Sequence, residues 1–209
     1  MHNALEGVRL AYDQVALEYD NAYQDEQSRL EDRTITEAIE VMYASSGGPI
    51  LDLGCGTGWV IDHLQPPPAE YVGIDISPRM LEQARRKHPF HTFLEYPMEG
   101  IGERIEWRRA FGLVVSTFGA FSYAHGPTVL RGIAFVLRPG GASFLMAYGP
   151  NHPGSRVLRL YGTPVPYLRY DEQSIAALYN GHGPTTIRRV GPFMVSEARA
   201  SEMTEKASA

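Results

Sequence analysis

The sequence predicts an α/β protein with a doubly wound, mostly parallel sheet of six to seven strands, helices on both faces and an N-terminal helical cap. First, short apolar runs that suit buried strands alternate with segments of helical periodicity. Second, the first such run ends in glycines at alternate positions, Gly54, Gly56 and Gly58. Third, the next run, Tyr71–Asp75, ends in an acid. A strand, a glycine turn, a helix and a strand with a terminal acid make up a nucleoside-binding βαβ unit.

The individual elements follow from periodicity and from residues that break it. Residues 4–45 are predicted to be helical because apolar side chains recur every three to four positions. The next helix starts near Gly58 and is stopped by Pro66. Ser77 and Pro78 suit the N-cap and first turn of a further helix. Two more helices are expected at 127–137 and 171–180, and strands at 49–53, 71–75, 90–95, 113–117, 142–148 and 185–190.

Composition limits the function. The chain has 209 residues, 44% hydrophobic and 21% charged, which are ordinary values for a single globular domain. The net charge of −5 argues against a nucleic-acid partner, which would need clustered Lys and Arg. No apolar run suits a signal segment or a membrane span, and Cys55 is the single cysteine. We therefore expect a cytoplasmic protein without a membrane partner, in an oligomeric state that is left open.

The glycine-rich turn lies in a segment without cations. Residues 47–78 contain no Lys or Arg but include Asp52, Asp62, Glu70 and Asp75. A polyphosphate ligand would need a cation there, as in a P-loop. The segment therefore favours a nucleoside without phosphate groups, preferably one with a positive charge. S-Adenosylmethionine fits this description, since it has an adenosine, a sulfonium, an ammonium and one carboxylate. No grouping of His, Cys and carboxylates has metal-ligand spacing, so no metal is expected.

The segment Ile50–Gly58 also resembles the first motif of the class I, Rossmann-like S-adenosylmethionine-dependent methyltransferases. Val72–Ser77 is similar to the second motif of that family, Phe111–Phe118 to its fourth strand and Val136–Gly141 to the turn before its fifth. The ordered set covers about residues 8–149, and the small-molecule and natural-product branches are the most similar. The resemblance implies S-adenosylmethionine as the cofactor and methyl transfer to an N, O or C atom of a small-molecule acceptor.

We expect the whole chain to be one methyltransferase domain. Its expected parts are a helical cap at 1–46, a cofactor-binding core at 47–149, an acceptor lid and C-terminal part at 150–195, and a polar tail at 196–209. The family usually adds a seventh, antiparallel strand. Only Phe193–Val195 is available for it before the polar tail, so this strand is expected to be short, absent or provided differently.

The resemblance implies cofactor-binding roles for Tyr12, Tyr19, Asp52, Gly54, Cys55, Gly56, Gly58, Asp75, Ile76, Met80, Met98, Glu99 and Ser116. The glycines let the backbone turn beside the ligand with no Cβ in the way, and the following helix offers free N–H groups to a carboxylate. Asp75 is expected to accept the ribose hydroxyls. Asp52 is expected to support the loop and the ligand ammonium, with capping of its own turn as the alternative.

Other residues of this set also have a structural alternative. Cys55 is expected to line the site through its backbone, because its thiol has no basic neighbour to lower its pKa. Ile76 and Met80 could pack on adenine or belong to the ordinary core. Tyr12 and Tyr19, seven positions apart, could close the site over the cofactor or only share a buried helix face.

The chain departs from the family pattern at two places. Pro97 stands where the family often has an acid near the adenine. Met98 could still donate its backbone N–H to adenine there, and Glu99 could supply the acid. Gly112 stands where the fourth strand often has an acid. That second position is usually structural.

The family has no universal catalytic residue, so none is carried over. The candidate general base is His125, at the carboxyl edge of the sheet, and the alternative is a surface or capping histidine. The segment Tyr148–Tyr170 is the expected acceptor lid, since its four tyrosines and three arginines suit a flat aromatic or acidic small molecule. The alternative is a structured connection to the last helix.

Competing functions leave different marks in the sequence. An aminopropyl transferase on this fold would show an acidic cluster near the fourth strand, and Ser116–Gly119 has none. A nicotinamide dehydrogenase would need its third glycine one residue after Gly58. A non-catalytic binding or regulatory protein on a methyltransferase fold stays open, as does a protein side-chain methyltransferase.

Overall fold

Seven strands form one sheet in the computed structural model, which describes residues 2–163, 165–179 and 185–200. The strands are β1 Ile50–Leu53, β2 Tyr71–Asp75, β3 Thr92–Glu95, β4 Phe111–Ser116, β5 Leu137–Tyr148, β6 Thr185–Val190 and β7 Phe193–Arg199. Their order across the sheet is β3-β2-β1-β4-β5-β7-β6. β7 is antiparallel to β5 and β6, whereas β1 to β5 pair in parallel. The predicted doubly wound, mostly parallel α/β fold is confirmed.

The helices in the described part of the chain are α1 His2–Val15, α2 Glu26–Ser46, α3 Trp59–Leu64, α4 Pro78–Lys87, α5 Gly126–Val136, α6 Arg156–Leu160 and α7 Glu172–Leu178. The helical segment expected over 4–45 is two helices, because the chain turns through a short 3-10 segment at Asp20–Tyr23. Asp25 then starts α2 by accepting a hydrogen bond from the Ser28 N–H at 3.0 Å. Ser77 starts α4 in the same way, through the Met80 N–H at 3.1 Å, as predicted.

Helices cover both faces of the sheet because side chains along each strand alternate between the two faces. In β4, Leu113 and Val115 belong to the core layer that contains Ile35 of α2. Val114 belongs to the opposite layer, together with Ile133 of α5. The core therefore lies in two layers. The carboxyl ends of β1, β2 and β4 are left for loops, at the place where the strand order reverses.

β5 begins at Leu137 rather than at the predicted residue 142, and the turn expected over 138–141 lies inside the strand. Leu137 pairs with Phe111 and Ala142 with Leu113, so the register shifts between the two pairs. The extra residues of β5 form an irregularity in which Gly140 has φ +75°. The prediction of a separate turn was wrong because a bulge and a turn use the same glycine-rich sequence.

β7 corrects the expectation of a short or absent last strand. It pairs with β5 along its whole length, from Phe193 opposite Tyr148 to Arg199 opposite Ala142. The polar tail expected from residue 196 therefore cannot start before residue 200; residues 201–209 lie outside the described residues. Ser196 is buried, and its hydroxyl pairs with the Tyr179 hydroxyl at 2.9 Å. A bonded hydroxyl is tolerated in a core, and hydropathy alone does not reveal it.

Gly112 of β4 lies against the end of α2. A Cβ on Gly112 would be 1.5 Å from the Gly47 carbonyl oxygen, far inside contact distance. The Gly112 N–H also donates to the Pro49 carbonyl at 2.9 Å. Only glycine fits at this crossing, which gives a physical reason why the acid often found here in the family is missing.

Candidate active site

A cavity of about 420 Å³ opens at the carboxyl edge of the sheet, between the glycine turn and the N-terminal helices. Its volume lies in the range of small-molecule and cofactor sites. Most of the expected cofactor-binding residues line it, namely Tyr12, Tyr19, Gly54, Cys55, Gly56, Asp75, Ile76, Met80, Met98 and Glu99. Asp52, Gly58, Ser116 and His125 are not among the lining residues.

The glycine turn is tied to the end of β2. The N–H groups of Gly54 and Cys55 both donate to the Ile74 carbonyl, at 2.8 and 3.0 Å. Gly54 has φ +72°, and a Cβ there would be 2.5 Å from the Ala120 Cβ. Glycine is therefore required both by the backbone angle and by the close approach of the loop after β4. The glycine turn therefore borders the cavity through Gly54, Cys55 and Gly56.

Gly58 has a structural role instead. It lies just before α3 with φ +98°, and a Cβ there would be 2.7 Å from the His88 ring. It lets α3 start close to the end of α4 and does not line the cavity. Gly54 and Gly56 thus line the cavity, whereas Gly58 serves the start of α3.

Asp75 lies where the turn and β2 meet. One carboxylate oxygen accepts from the Gly56 N–H at 2.9 Å and the other from the Ser77 N–H at 2.8 Å. Each carboxylate oxygen has two acceptor positions, so one position on each oxygen is left for a ligand. Burial raises the pKa of Asp75 to about 6. An anionic pair of acceptors facing a cavity fits a ribose diol, so the residues present suit the adenosine of S-adenosylmethionine.

The walls beside Asp75 are apolar. Ile76 and Met98 are partly exposed to the cavity, whereas Met80 is only 2% exposed and packs mainly in the interior. The Met80 methyl group lies 3.3 Å from where a Cβ of Gly56 would be, so it also supports the turn from below. Glu99 lines the cavity and accepts from the His125 N–H at 3.1 Å. The space between Ile76 and Met98 suits a flat nucleobase such as adenine.

Asp52 lies away from the cavity. It is 1% exposed, and one oxygen accepts from the Tyr71 hydroxyl at 2.8 Å. Its other oxygen, Oδ1, is buried without a hydrogen-bond partner among the described residues. Burial raises the pKa of Asp52 to about 7, and the nearby Asp75 charge adds to the effect. Asp52 is therefore not among the residues that line the cavity in which a ligand ammonium would lie.

Asp52→Asn should stabilise the protein at about pH 8 by roughly 2 kcal/mol and have little effect near pH 4. The folded pKa of Asp52 lies above the unfolded value, so the folded state binds more protons, and stability falls as pH rises from about 4 to about 7. Asn removes that cost. Urea unfolding of both proteins at the two pH values measures the difference. Glu37→Gln, on the exposed side of α2, is the control. Equal stability of Asp52→Asn and wild type at pH 8 would contradict the expectation.

Ser116 and His125 have structural positions. Ser116 is fully buried and donates to the Leu53 carbonyl at 2.9 Å, which links β4 to β1. His125 is exposed before α5, with its Nδ1 2.8 Å from the Thr128 hydroxyl. The surface or capping alternative for His125 describes what is seen, and its expected role as general base is not supported by its position. Thr117 and Phe118, next to Ser116, do line the cavity.

Three tyrosine hydroxyls form a chain across the cavity wall. The Tyr12 hydroxyl donates to the Tyr123 hydroxyl at 3.2 Å, which lies 3.2 Å from the Tyr148 hydroxyl. Tyr19 packs on Tyr12 with ring centroids 6.1 Å apart. Both tyrosines line the cavity, but they do not share a helix face, because α1 ends at Val15 and Tyr19 lies in the turn after it.

The acids next to these tyrosines hold the cap in place. Asp13 accepts from the Ser77 hydroxyl at 2.7 Å and from the Arg79 N–H at 3.2 Å. Asp20 accepts from the Thr57 hydroxyl at 2.6 Å and from Lys87 at 3.1 Å. Sequence reasoning missed both acids, although they belong to the repeated Tyr-Asp pair that pointed to the tyrosines.

Only part of the expected acceptor lid faces the cavity. Tyr148, His152, Ser155, Arg156 and Arg159 line it. Tyr161 is 51% exposed, and Tyr170 is buried against Phe121. Sequence reasoning missed His152, because no periodic pattern marks its segment.

No three His, Cys, Asp or Glu side chains among the described residues are grouped so that they could hold a metal ion. None of the described helices has the length and apolar character needed to cross a bilayer.

Known proteins resemble the central part of the chain. Residues 50–141 match a family model described as a methyltransferase domain. The demethylmenaquinone methyltransferase of Chlorobaculum tepidum is 32% identical over 112 residues, which are 53% of this chain and 44% of that protein. The phthiotriol/phenolphthiotriol dimycocerosates methyltransferase of Mycobacterium leprae is 30% identical over 115 residues, 54% of this chain and 41% of that protein. The chain spans about half the length of the curated relatives it matches.

Solved structures share the fold along most of the chain. The Synechocystis magnesium protoporphyrin IX methyltransferase with bound S-adenosylhomocysteine has a TM-score of 0.69 at 18% identity, covering 95% of this chain and 100% of that one. The Burkholderia thailandensis 1,6-didemethyltoxoflavin-N1-methyltransferase, with its namesake ligand and S-adenosylhomocysteine bound, has a TM-score of 0.68 at 19% identity, covering 96% and 90%. Residues 50–141 therefore match a methyltransferase domain, the chain has the seven-stranded fold of the class I S-adenosylmethionine-dependent methyltransferases, and the cavity between the glycine turn and Asp75 suits S-adenosylmethionine as the cofactor.

Proposed function

We propose that this protein transfers the methyl group of S-adenosylmethionine to an N, O or C nucleophile of a small-molecule acceptor. The carrying observation is that one cavity is lined both by the glycine turn with Asp75 and by Phe118, Tyr123 and Tyr148. The first group has the features of a nucleoside site, and the second is aromatic. A cofactor and an acceptor could therefore meet inside one enclosure.

The residues around the cavity divide into groups with separate tasks. Asp75 would accept the ribose hydroxyls, and Ile76 and Met98 would enclose the adenine. Thr57 and Tyr19 lie towards the helical cap, where the methionine part would extend. When bound, the cofactor supplies an electrophilic methyl carbon, to which the acceptor lone pair bonds while the carbon–sulfur bond breaks and its electrons stay on sulfur. The chain itself would align the two ligands, which is worth several kcal/mol in such reactions.

Exclusion of water is the second task of the chain. Asp13 and Asp20 hold α1 and the turn after it against α4 and the glycine turn through hydrogen bonds of 2.6 to 3.2 Å. In this proposal α1, the Asp20–Tyr23 turn and α2 form the cap, residues 47–149 bind the cofactor, and the segment from residue 150 onwards closes over the acceptor. A protein of this kind would suit the cytoplasm, where a single buried Cys55 stays reduced.

The size of the enclosure supports a small acceptor over a protein side chain. The cap and the lid both contribute to the cavity wall, through Tyr12 and His152 among others. The two relatives described above are named for small-molecule acceptors, demethylmenaquinone in one case, which supports the same choice. A non-catalytic binding protein on this fold is the competing function. It would differ by binding no cofactor, or by binding it without turnover.

Isothermal titration with S-adenosylhomocysteine, with NAD as the control, tests the cofactor site directly. We expect micromolar binding of S-adenosylhomocysteine and none of NAD, because no Lys or Arg lies in the glycine turn to meet a pyrophosphate. Failure of the folded protein to bind S-adenosylhomocysteine would overturn the proposed function. Equal binding of NAD would indicate a general nucleotide site instead.

A further inference from the structure

His152 is a buried, rigidly held side chain at the acceptor end of the cavity. Its ring stacks on the Tyr148 ring, with centroids 4.1 Å apart and planes 13° from parallel. The Phe193 ring contacts it at 4.5 Å. Its backbone carbonyl accepts from Arg169 at 3.0 Å, and only 6% of the residue is exposed. A surface histidine would not be fixed at so many points.

The hydrogen bond to Nδ1 determines where the imidazole proton lies. The Gly154 N–H donates to His152 Nδ1 at 2.9 Å, so Nδ1 must be the unprotonated nitrogen. The proton of the neutral ring is therefore on Nε2, which has no hydrogen-bond partner among the described residues. Burial, together with Arg159 and Arg169, lowers the pKa of His152 to about 4. At neutral pH this side chain is a fixed hydrogen-bond donor and not a base.

Arg159 adds a cation to the same end of the cavity. Arg159 lines the cavity, and its guanidinium donates a long hydrogen bond of 3.4 Å to the Gly154 carbonyl. No carboxylate of the described residues lies within ion-pair distance of it. Arg156, which also lines the cavity, differs because Asp25 neutralises it. An N–H donor and an unneutralised guanidinium on one wall suit a ligand with an anionic oxygen.

We propose that His152 and Arg159 select the acceptor, with the His152 Nε2–H and the Arg159 guanidinium binding an acidic oxygen on a flat ring that lies against Tyr148 and Phe193. The acceptor class is thus an aromatic carboxylate or a similarly acidic ring hydroxyl. This inference rests on the proposed function, since it assigns the second ligand of the same cavity. His152 acts in it as a specificity-determining donor.

Two acids that also line the cavity have partners of their own. Asp32 accepts from the Trp59 indole N–H at 2.9 Å, and Glu31 accepts from the Gln27 amide at 3.1 Å. Both line the cavity and could attract a cationic acceptor. A cationic probe therefore belongs in the test.

The test uses benzoate, benzamide and benzylamine, which share a ring and differ in charge, titrated into protein saturated with S-adenosylhomocysteine. We expect benzoate to bind about 10-fold more tightly than benzamide or benzylamine. His152→Phe keeps a flat ring on Tyr148 but removes the donor, and should lower benzoate affinity about 10-fold and benzamide affinity less, because the hydrogen bond to a neutral oxygen is weaker. His152→Gln keeps an N–H at a similar reach and should recover most of the loss. Arg159→Gln should act like His152→Phe, and Arg108→Gln, at an exposed arginine that does not line the cavity, is the matched control, with little effect.

The outcomes separate this inference from the proposed function. S-Adenosylhomocysteine binding is measured first, and its absence sinks the proposed function. If it binds, the inference is overturned by tighter binding of benzylamine or benzamide than of benzoate. Absence of benzoate binding at millimolar concentration, or equal losses of benzoate and benzamide in His152→Phe, overturns it as well.

Discussion

Replacing Asp75 with Ala is expected to weaken the binding of S-adenosylhomocysteine about 100-fold. The Asp75 carboxylate is partly exposed to the cavity, with one acceptor position free on each oxygen beyond its bonds to the Gly56 and Ser77 N–H groups. Two hydrogen bonds to a charged group contribute about 1.5 kcal/mol each at the lower end of their range. Titration calorimetry of the wild type and the variant measures the loss.

The control for this prediction is Glu95→Ala. Glu95 pairs with Asp75 across β2 and β3 but is exposed and does not line the cavity. Its removal should leave the affinity unchanged. Since Asp75→Ala also frees the N–H groups of Gly56 and Ser77, a thermal melt without ligand must show that the variant is folded. Equal affinities of Asp75→Ala and Glu95→Ala would remove Asp75 from the binding site.

Gly112→Ala is expected to destabilise the fold by about 3 kcal/mol, or lower the Tm by roughly 10 °C. The added methyl group would lie 1.5 Å from the Gly47 carbonyl oxygen, which is backbone and cannot turn aside. Relief requires that β4 and the end of α2 move apart, at a place where the Gly112 N–H bonds to Pro49. Denaturant unfolding followed by circular dichroism gives the change in unfolding free energy.

Gly7→Ala is the matched control for the same substitution. Gly7 lies in α1 with nothing within 4 Å of the Cβ position, so Ala should be neutral or stabilise the helix by up to about 1 kcal/mol. If Gly112→Ala were as stable as wild type, the inference that β4 and the end of α2 leave no room for a side chain at residue 112 would be wrong.

The fold was predictable where apolar runs have sharp ends. β2 lies at the predicted 71–75, since its run ends in an acid followed by Ser77 and Pro78, which start a helix. β5 and β7 were mispredicted for two different reasons. The start of β5 is an irregular pairing that only its neighbour in the sheet defines. In β7, Ser196 can be buried because its hydroxyl bonds to that of Tyr179, which follows α7 and lies 17 positions earlier in the sequence.

The site was predictable at strand ends but not within strands. Asp75 terminates β2 and meets the glycine turn as expected. Asp52 lies one residue before the end of β1. All four residues of this strand are buried, so the sequence has no alternation of polar and apolar residues that would show which face of the sheet Asp52 occupies. It alternates with Leu51 and Leu53 and lies on the other face of the sheet, beside Tyr71.

The cavity wall away from the strands comes from distant segments. Tyr12, Tyr123 and Tyr148 meet through their hydroxyls, although 111 and 25 positions separate them in sequence. His152 contacts Tyr148 of β5, Phe193 of β7 and Gly154, two positions further along the chain. Contacts of this kind depend on tertiary packing. They cannot be predicted from one sequence, because these segments lack the hydrophobic periodicity on which such predictions rest.

The place of β7 in the sheet sets an order of events during synthesis. β7 follows β6 in the chain, yet it lies between β5 and β6. Until Phe193–Arg199 has left the ribosome, one edge of β5 lacks its partner along a segment, Ala142–Tyr148, that is buried in the finished protein. Unpaired apolar edges are places where chains associate wrongly. We therefore expect this edge of the nascent chain to be prone to aggregation in the interval between the emergence of Tyr148 and that of Arg199.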